Sequence, residues 1–392
     1  MTAPETVAVM NALVEARFVG GAVRNALLGA PVADIDIAVP MPPSEAVTRL
    51  SAAGIRTVPT GIEHGTVTAI AGAHTFEVTS LRRDVETDGR RAVIAFTDDW
   101  AEDAMRRDFT INALYAAADG EIFDYATGVS DLIAGRVRFM GDAATRIAED
   151  YLRILRLFRF HAWYGKGDLD EAALRASAAA RDRLQTLSAE RIAKEMLRLL
   201  EAVRPGPVLR VMAATGILSQ VLPGELDLAR LERLCELDNE NMLVPDALLR
   251  LAALLPPGAA EDVGSRLKLS NADRVRLVAA LAAGDRILSH LKAPEVRRLL
   301  YIHGVPAFKD RVRLAWAAAP RSQPALAWRM LLAMADAYER PRFPLTGRDV
   351  MAAGVPEGAR VGQVLARLEA DWAEEDFATP EETLRARLKA LV

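Results

Sequence analysis

Phe18-Val-Gly-Gly-Ala-Val-Arg-Asn-Ala-Leu-Leu-Gly29, followed at once by Asp34-Ile-Asp-Ile37, decides how this chain is read. Gly20 and Gly21 let a backbone approach a ligand closely, and a helix starting near Ala22 points its free amides at that spot. Arg24, on the first helical turn, is a permanent cation suited to phosphate. Read as a strand, Asp34 to Val39 alternates faces, so Asp34 and Asp36 project together while Ile35, Ile37 and Val39 face the other way. Two carboxylates side by side repel unless a cation sits between them, and hard divalent ions such as Mg²⁺ prefer carboxylate and phosphate oxygens. The stretch predicts a nucleoside triphosphate held over a two-metal centre.

Outward from there, the first part of the chain mixes helix and strand signals. A helix is expected over Pro4 to Ala16 and another over Ser44 to Ala53. Thr66 to Ala71 and Thr75 to Leu81 are β-rich runs split by Gly72-Ala73-His74, a hairpin signal. The charged segment Arg82 to Asp98 reads as a mobile loop that a substrate would order. Ile122 to Tyr125 and Val137 to Met140 read as short closing strands. From Asp142 the β signals nearly vanish. Alanine, leucine and arginine at helical spacing run on to about Ala337, and the glycine- and proline-punctuated segment Leu345 to Val392 ends in two further helices.

Composition sets bounds. The 392 residues suffice for two to four domains, and 51% hydrophobic with 26% charged residues is the make-up of a globular protein with a sizeable core. No apolar run approaches the roughly 18 to 20 residues needed to cross a bilayer, and Met1 to Glu15 lacks the pattern of a signal peptide. One cysteine, Cys235, rules out an internal disulfide framework and suits a reducing compartment such as the cytoplasm. The net charge of −4 does not mark a nucleic-acid binder, so contact with a polyanion must rely on local clusters of arginine.

Three further groups carry possible chemistry. Glu77, on the second hairpin strand, either faces solvent or becomes a third carboxylate or a base, depending on strand order. Arg106-Arg-Asp-Phe-Thr-Ile-Asn-Ala-Leu114 joins two arginines to an expected amphipathic helix, with Asp108 suited to capping it and Arg107 to a triphosphate. In Glu149-Asp-Tyr-Leu-Arg-Ile-Leu-Arg-Leu-Phe-Arg159, helical spacing makes Asp150, Arg153, Arg156 and Arg159 successive neighbours. Apolar residues cover more than one face of that helix, so its arginines want a polyanion or a buried base as partner. Arg191 and Lys194 suit either RNA or a solvated face.

These motifs, in order and spacing, resemble the class II tRNA nucleotidyltransferases (CCA-adding enzymes) and the bacterial poly(A) polymerases; Ser188-Ala-Glu-Arg-Ile192 resembles a later motif of the same family. The resemblance implies an α+β, polymerase β-like nucleotidyltransferase head (1–140), followed by an all-α neck (141–205), body (206–340) and tail (341–392). It implies that Asp34 and Asp36 bind two Mg²⁺ ions with Glu77 as third carboxylate. Gly20, Gly21, Arg24, Arg107, Asp150, Arg153, Arg156 and Arg159 would bind the nucleotide, with ATP, CTP and tRNA as substrates. An acceptor carboxylate beside a donor guanidinium matches the Watson–Crick edges of both cytosine and adenine. Uracil and guanine would leave buried groups unpaired, at roughly 1 to 3 kcal/mol each. The expected activity is template-independent addition of CMP and AMP to the tRNA 3′ end. A poly(A) polymerase, a C-only or A-only enzyme, and an inactive RNA-binding relative are the alternatives. Asn25 stands where the family commonly has Asp, and Tyr125 where it has Pro. The chain has no His-Asp pair, so the phosphohydrolase domain of some relatives is not expected.

Overall fold

The β-rich runs build one mixed sheet, and the sheet brings the acidic residues together. A computed structural model describes the backbone of residues 1–88 and 91–392; the side chains of residues 60, 64 and 84–94 lie outside the description. The chain divides into two compact units, Met1–Leu222 and Pro223–Val392. In the first, seven strands run in the order β3-β4-β5-β2-β1-β8-β9. They are β1 (Arg17–Val19), β2 (Asp36–Val39), β3 (Arg56–Gly61), β4 (Thr66–Ala71), β5 (His74–Ser80), β8 (Leu114–Ala116) and β9 (Ile122–Asp124). Only β2 and β5 pair in parallel; the other neighbours are antiparallel. Phe18, Val19, Ile37, Val39, Val67, Phe76 and Val78 fill the core.

Helices α1 (Pro4–Ala12), α2 (Gly21–Leu27) and α3 (Pro43–Ala52) interleave with these strands. The first stops four residues short of its expected end, because Leu13 is extended and Glu15 takes a left-handed conformation. Residues 82–98, expected as a loop, hold a two-stranded sheet of β6 (Arg82–Asp88) and β7 (Arg91–Phe96). Alternating polar and β-branched residues there favour pairing more than the charge favours solvation; Gly89 and Arg90 lie outside the described residues. The amphipathic helix expected after Arg107 is absent. After α4 (Trp100–Met105) come a single 3₁₀ turn, Thr110–Asn112, and β8. Val137 to Met140 forms no strand, only one bridge between Phe109 and Phe139.

The helical part of this unit begins with α5 (Gly128–Ala134) and α6 (Ala143–Glu149). Next come α7 (Leu152–Tyr164), α8 (Glu171–Ala179) and α9 (Ala189–Leu200). Helix α7 buries Ile154, Leu155, Leu157, Phe158 and Phe160, and α9, which packs on it, buries Ala193, Met196, Leu199 and Leu200. The second unit is helical throughout. Its last segment shares a core with an earlier helix: Leu345, Val350, Leu368, Trp372 and Leu384 cluster with Tyr301. Among the described residues no helix is long and apolar enough to cross a membrane.

Candidate active site

Parallel pairing of β2 with β5 sets Asp36 directly opposite Glu77. Asp36 is the first residue of its strand, and Asp34 precedes it in irregular chain. Strand alternation therefore does not place Asp34, contrary to expectation. The connection from α2 does, and Asp34, Asp36 and Glu77 nevertheless line one cavity of about 890 Å³. Burial, then Glu77 and Asp34, push the Asp36 carboxyl above its usual range, and Arg107 only partly offsets them. Among the described residues, no group of three His, Cys, Asp or Glu side chains is drawn together tightly enough to hold a metal by itself.

The glycine turn adjoins this pair: β1 runs antiparallel to β2 with Phe18 opposite Ile37, so the end of β1 that leads into Gly20 lies beside the start of β2. Gly20 has φ +66° and ψ −118°, a conformation only glycine adopts without strain, and it lets the chain turn from β1 straight into α2. A methyl group on Gly20 would lie 3.5 Å from the Asn112 carbonyl oxygen and 3.7 Å from the Arg107 guanidinium. Gly21 opens α2, with Arg24 one turn on.

Arg24 departs most from the exposed phosphate cation that its position suggested. It is buried, donates to the Asn112 side-chain oxygen and to the Tyr164 hydroxyl (2.9 Å), and lies 4.2 Å from the centre of the Tyr164 ring. Burial outweighs these partners and lowers its pKa. Asn112 in turn donates to Asp108 (3.0 Å), which accepts from Arg156 (2.7 Å). Glu195 of α9 then accepts from Arg159 (2.5 Å) and lies 3.7 Å from Arg156. A polar chain thus runs from the glycine turn to α9. Burial alone would raise the Asp108 pKa, but Arg156, Asn112 and the Phe109 amide hold it below the usual carboxylate range. Asp108 caps no helix; it ties the head to α7.

Arg107 stands behind the glycine turn, bonded to Asp103 (2.9 Å) and Tyr115 (3.1 Å). These partners raise its pKa against burial, while Arg107, Arg106 and the Tyr115 hydroxyl outweigh burial at Asp103 and hold its carboxyl down at about 2. Asp150 and Arg153, expected as helical neighbours, are separated by a break. Asp150 is extended (φ −155°), outside α7, and accepts from Arg191 (2.6 Å) and the Leu152 amide (3.1 Å). Arg153 donates instead to Glu149 and to the Arg146 carbonyl (2.8 Å). Of the expected nucleotide-binding residues, Arg24, Arg156 and Arg159 line the cavity with the carboxylates, whereas Gly20, Gly21, Arg107, Asp150 and Arg153 do not.

The cavity also has walls that the sequence reading missed: Trp163 and Tyr164 at the end of α7, and Glu195 and Arg198 on α9, beside Arg191 and Lys194. A signal was present. Trp163 follows Arg159 by four residues, and Arg191, Lys194 and Arg198 recur every three to four residues along one helix face.

Comparison with known proteins places the chain in a family. Residues 16–138 match the family model described as the poly A polymerase head domain, and residues 168–227 the one described as a probable RNA and SrmB-binding site of polymerase A. The chain is 33% identical to the mitochondrial CCA tRNA nucleotidyltransferase 1 of Mus musculus, over 96% of this chain and 86% of that protein. It is 33% identical to the CCA-adding enzyme of Latilactobacillus sakei, over 91% of this chain and 89% of that protein. The crystal structure of the Bacillus stearothermophilus CCA-adding enzyme in complex with CTP superposes with a TM-score of 0.78 at 26% identity, covering 99% of this chain and 96% of that one. With the polymerase head, the helical remainder and the carboxylate cavity in view, this chain belongs to the CCA-adding nucleotidyltransferase family.

Proposed function

We propose that this chain adds CMP and AMP from CTP and ATP to the 3′ end of tRNA without a template, releasing pyrophosphate. One observation carries the reading: Asp34, Asp36 and Glu77 share a cavity with Arg156 and Arg159 of α7, and burial together with repulsion from Glu77 and Asp34 already disfavours the charge on Asp36. The similarity to the enzyme crystallised with CTP, and to relatives named for CCA addition, supports the same substrates.

The donors suit hard divalent cations: they are carboxylates only, and a cation among them would relieve their repulsion. Asp34 and Asp36 would hold Mg²⁺, with Glu77 as the further carboxylate and triphosphate oxygens completing the shell. When bound, a Mg²⁺ pair lowers the pKa of an attacking hydroxyl and steadies the leaving pyrophosphate. Arg156 and Arg159, fixed by Asp108 and Glu195, keep positive charge on the cavity wall for the polyphosphate. Gly20, Gly21 and Arg107 shape the turn beneath it. Arg24 acts as a positioning residue, holding that turn against Tyr164. Asp150 and Arg153 read the base edge, so base reading competes with the Asp150–Arg191 and Arg153–Glu149 ion pairs. We place the reaction in the cytoplasm, in keeping with a lone Cys235 whose thiol burial pushes up to about 11.

The test is incubation of tRNA lacking its 3′ end with CTP, ATP or both, with products resolved to one nucleotide. Addition of three nucleotides, only when both are present, is the expected result, and Asp34→Ala should abolish it. A long A tract, or growth by C alone or A alone, replaces the reading with a restricted polymerase. Binding of tRNA with no incorporation makes the chain an inactive relative.

A further inference from the structure

One wall of the cavity carries groups that the chemistry above does not use. Trp163, at the end of α7, is 45% exposed. Its indole N–H donates to the Arg198 carbonyl of α9 (2.7 Å), which fixes the ring's orientation. Tyr164 beside it is held in turn by Arg24. Arg191, Lys194 and Arg198 line the same cavity along one face of α9. Seven residues of helix cover about 10 Å, so this row of cations is longer than a single phosphate contact requires. Arg198 is paired with Glu201 (3.1 Å) and Arg191 with Asp150 (2.6 Å); Lys194 lies between them.

We propose that Trp163 is a stacking platform for the terminal base of the RNA strand being extended, and that Lys194 and Arg198 hold the phosphates leading to it. This rests on reading the cavity as the nucleotidyl-transfer site. A row of cations interleaved with an exposed aromatic is how single-stranded nucleic acid is held without regard to sequence. Distance argues against the incoming nucleotide as occupant. Its base is assigned to Arg153, and ten residues of helix put Trp163 about 15 Å further along the axis. One base cannot be read at Arg153 and also stack on Trp163. The ring therefore serves the other reactant.

The full-length chain tests this by tryptophan fluorescence and by steady-state kinetics. Titrating the wild type and Trp163→Phe with tRNA lacking its 3′ end should quench a signal present only in the wild type, while CTP with Mg²⁺ alone should not. Trp163→Ala should raise KM for tRNA by about 5- to 150-fold, the range of one base–aromatic stack, with KM for CTP unchanged. Trp163→Phe should recover most of the loss, and Lys194→Ala should flatten the salt dependence of tRNA binding. If CTP alone quenches Trp163, or if Trp163→Ala raises KM for CTP, the platform belongs to the incoming base and the proposal fails. It fails equally if neither ligand quenches and neither KM moves. A wild type that incorporates nothing overturns the activity, but the tRNA quench still decides the platform.

Discussion

Replacing Asp36 with asparagine should move activity and stability in opposite directions. Asp36 sits across a parallel strand pair from Glu77, and burial, Glu77 and Asp34 together hold its pKa above 3.8. Like charges directly opposite in a sheet cost about 0.2 to 1 kcal/mol, and asparagine removes one of them at nearly constant shape. For a unit of this size 1 kcal/mol is worth about 2 to 4 °C, so Asp36→Asn should melt about 0.4 to 4 °C above the wild type at pH 7.5 in EDTA. The pH dependence follows from linkage. A raised carboxyl pKa means that the folded state binds more protons than the unfolded state above pH 3.8, so this group's contribution to stability is lost as pH rises through its folded value. The advantage of the variant should therefore shrink as pH falls and the wild-type carboxyl takes up its proton. Titrating groups remote from Asp36 are common to both proteins and cancel. Incorporation of CMP should fall by at least about 100-fold, since several kcal/mol of charge stabilisation depend on this site. Mg²⁺ with CTP should raise the melting temperature of the wild type but not of the variant. Scanning calorimetry at pH 7.5 and at acid pH checks the melting temperatures, and incorporation of labelled CMP checks the activity. A variant that melts at or below the wild type at pH 7.5, or a gap that does not close in acid, refutes the argument.

Two other substitutions probe how the site is held together. Asp108→Asn leaves Arg156 without its main partner; because Arg156 is 31% exposed and keeps Glu195 3.7 Å away, the loss should be about 2 to 3 kcal/mol, below the 3 to 5 of a fully enclosed pair. Urea unfolding checks it, and a change under about 0.5 kcal/mol would show that Asp108 does not tie the head to α7. Gly128→Ala puts a methyl group 2.3 Å from the Thr110 carbonyl oxygen, a backbone atom that cannot swing aside. The expected cost is about 1 to 3 kcal/mol or more, seen as a lower melting temperature of the first unit by circular dichroism.

Local features were readable because local chemistry sets them. The double-glycine turn, the acidic stretch after it and the hairpin around Gly72 depend on neighbours a few residues apart. Where the reading failed, distant partners won. Asp108 looked like a helix cap until Arg156, 48 residues on, took its carboxylate. Asp150 and Arg153 looked like a pair until the break before α7 turned one to Arg191 and the other to Glu149. The pairing of β6 with β7 was hidden because the charge of this segment resembled that of a solvated loop.

By itself the sequence determined the mixed head and the helical remainder, because periodicity and turn chemistry act within a few residues of chain. Only the tertiary structure decided that Glu77 faces Asp36, that Arg24 is spent on Tyr164 and Asn112, and that α9 closes the cavity with Lys194 and Arg198. Strand order and helix packing are set by burial of apolar surface summed over the whole unit, and no short stretch of chain encodes that sum.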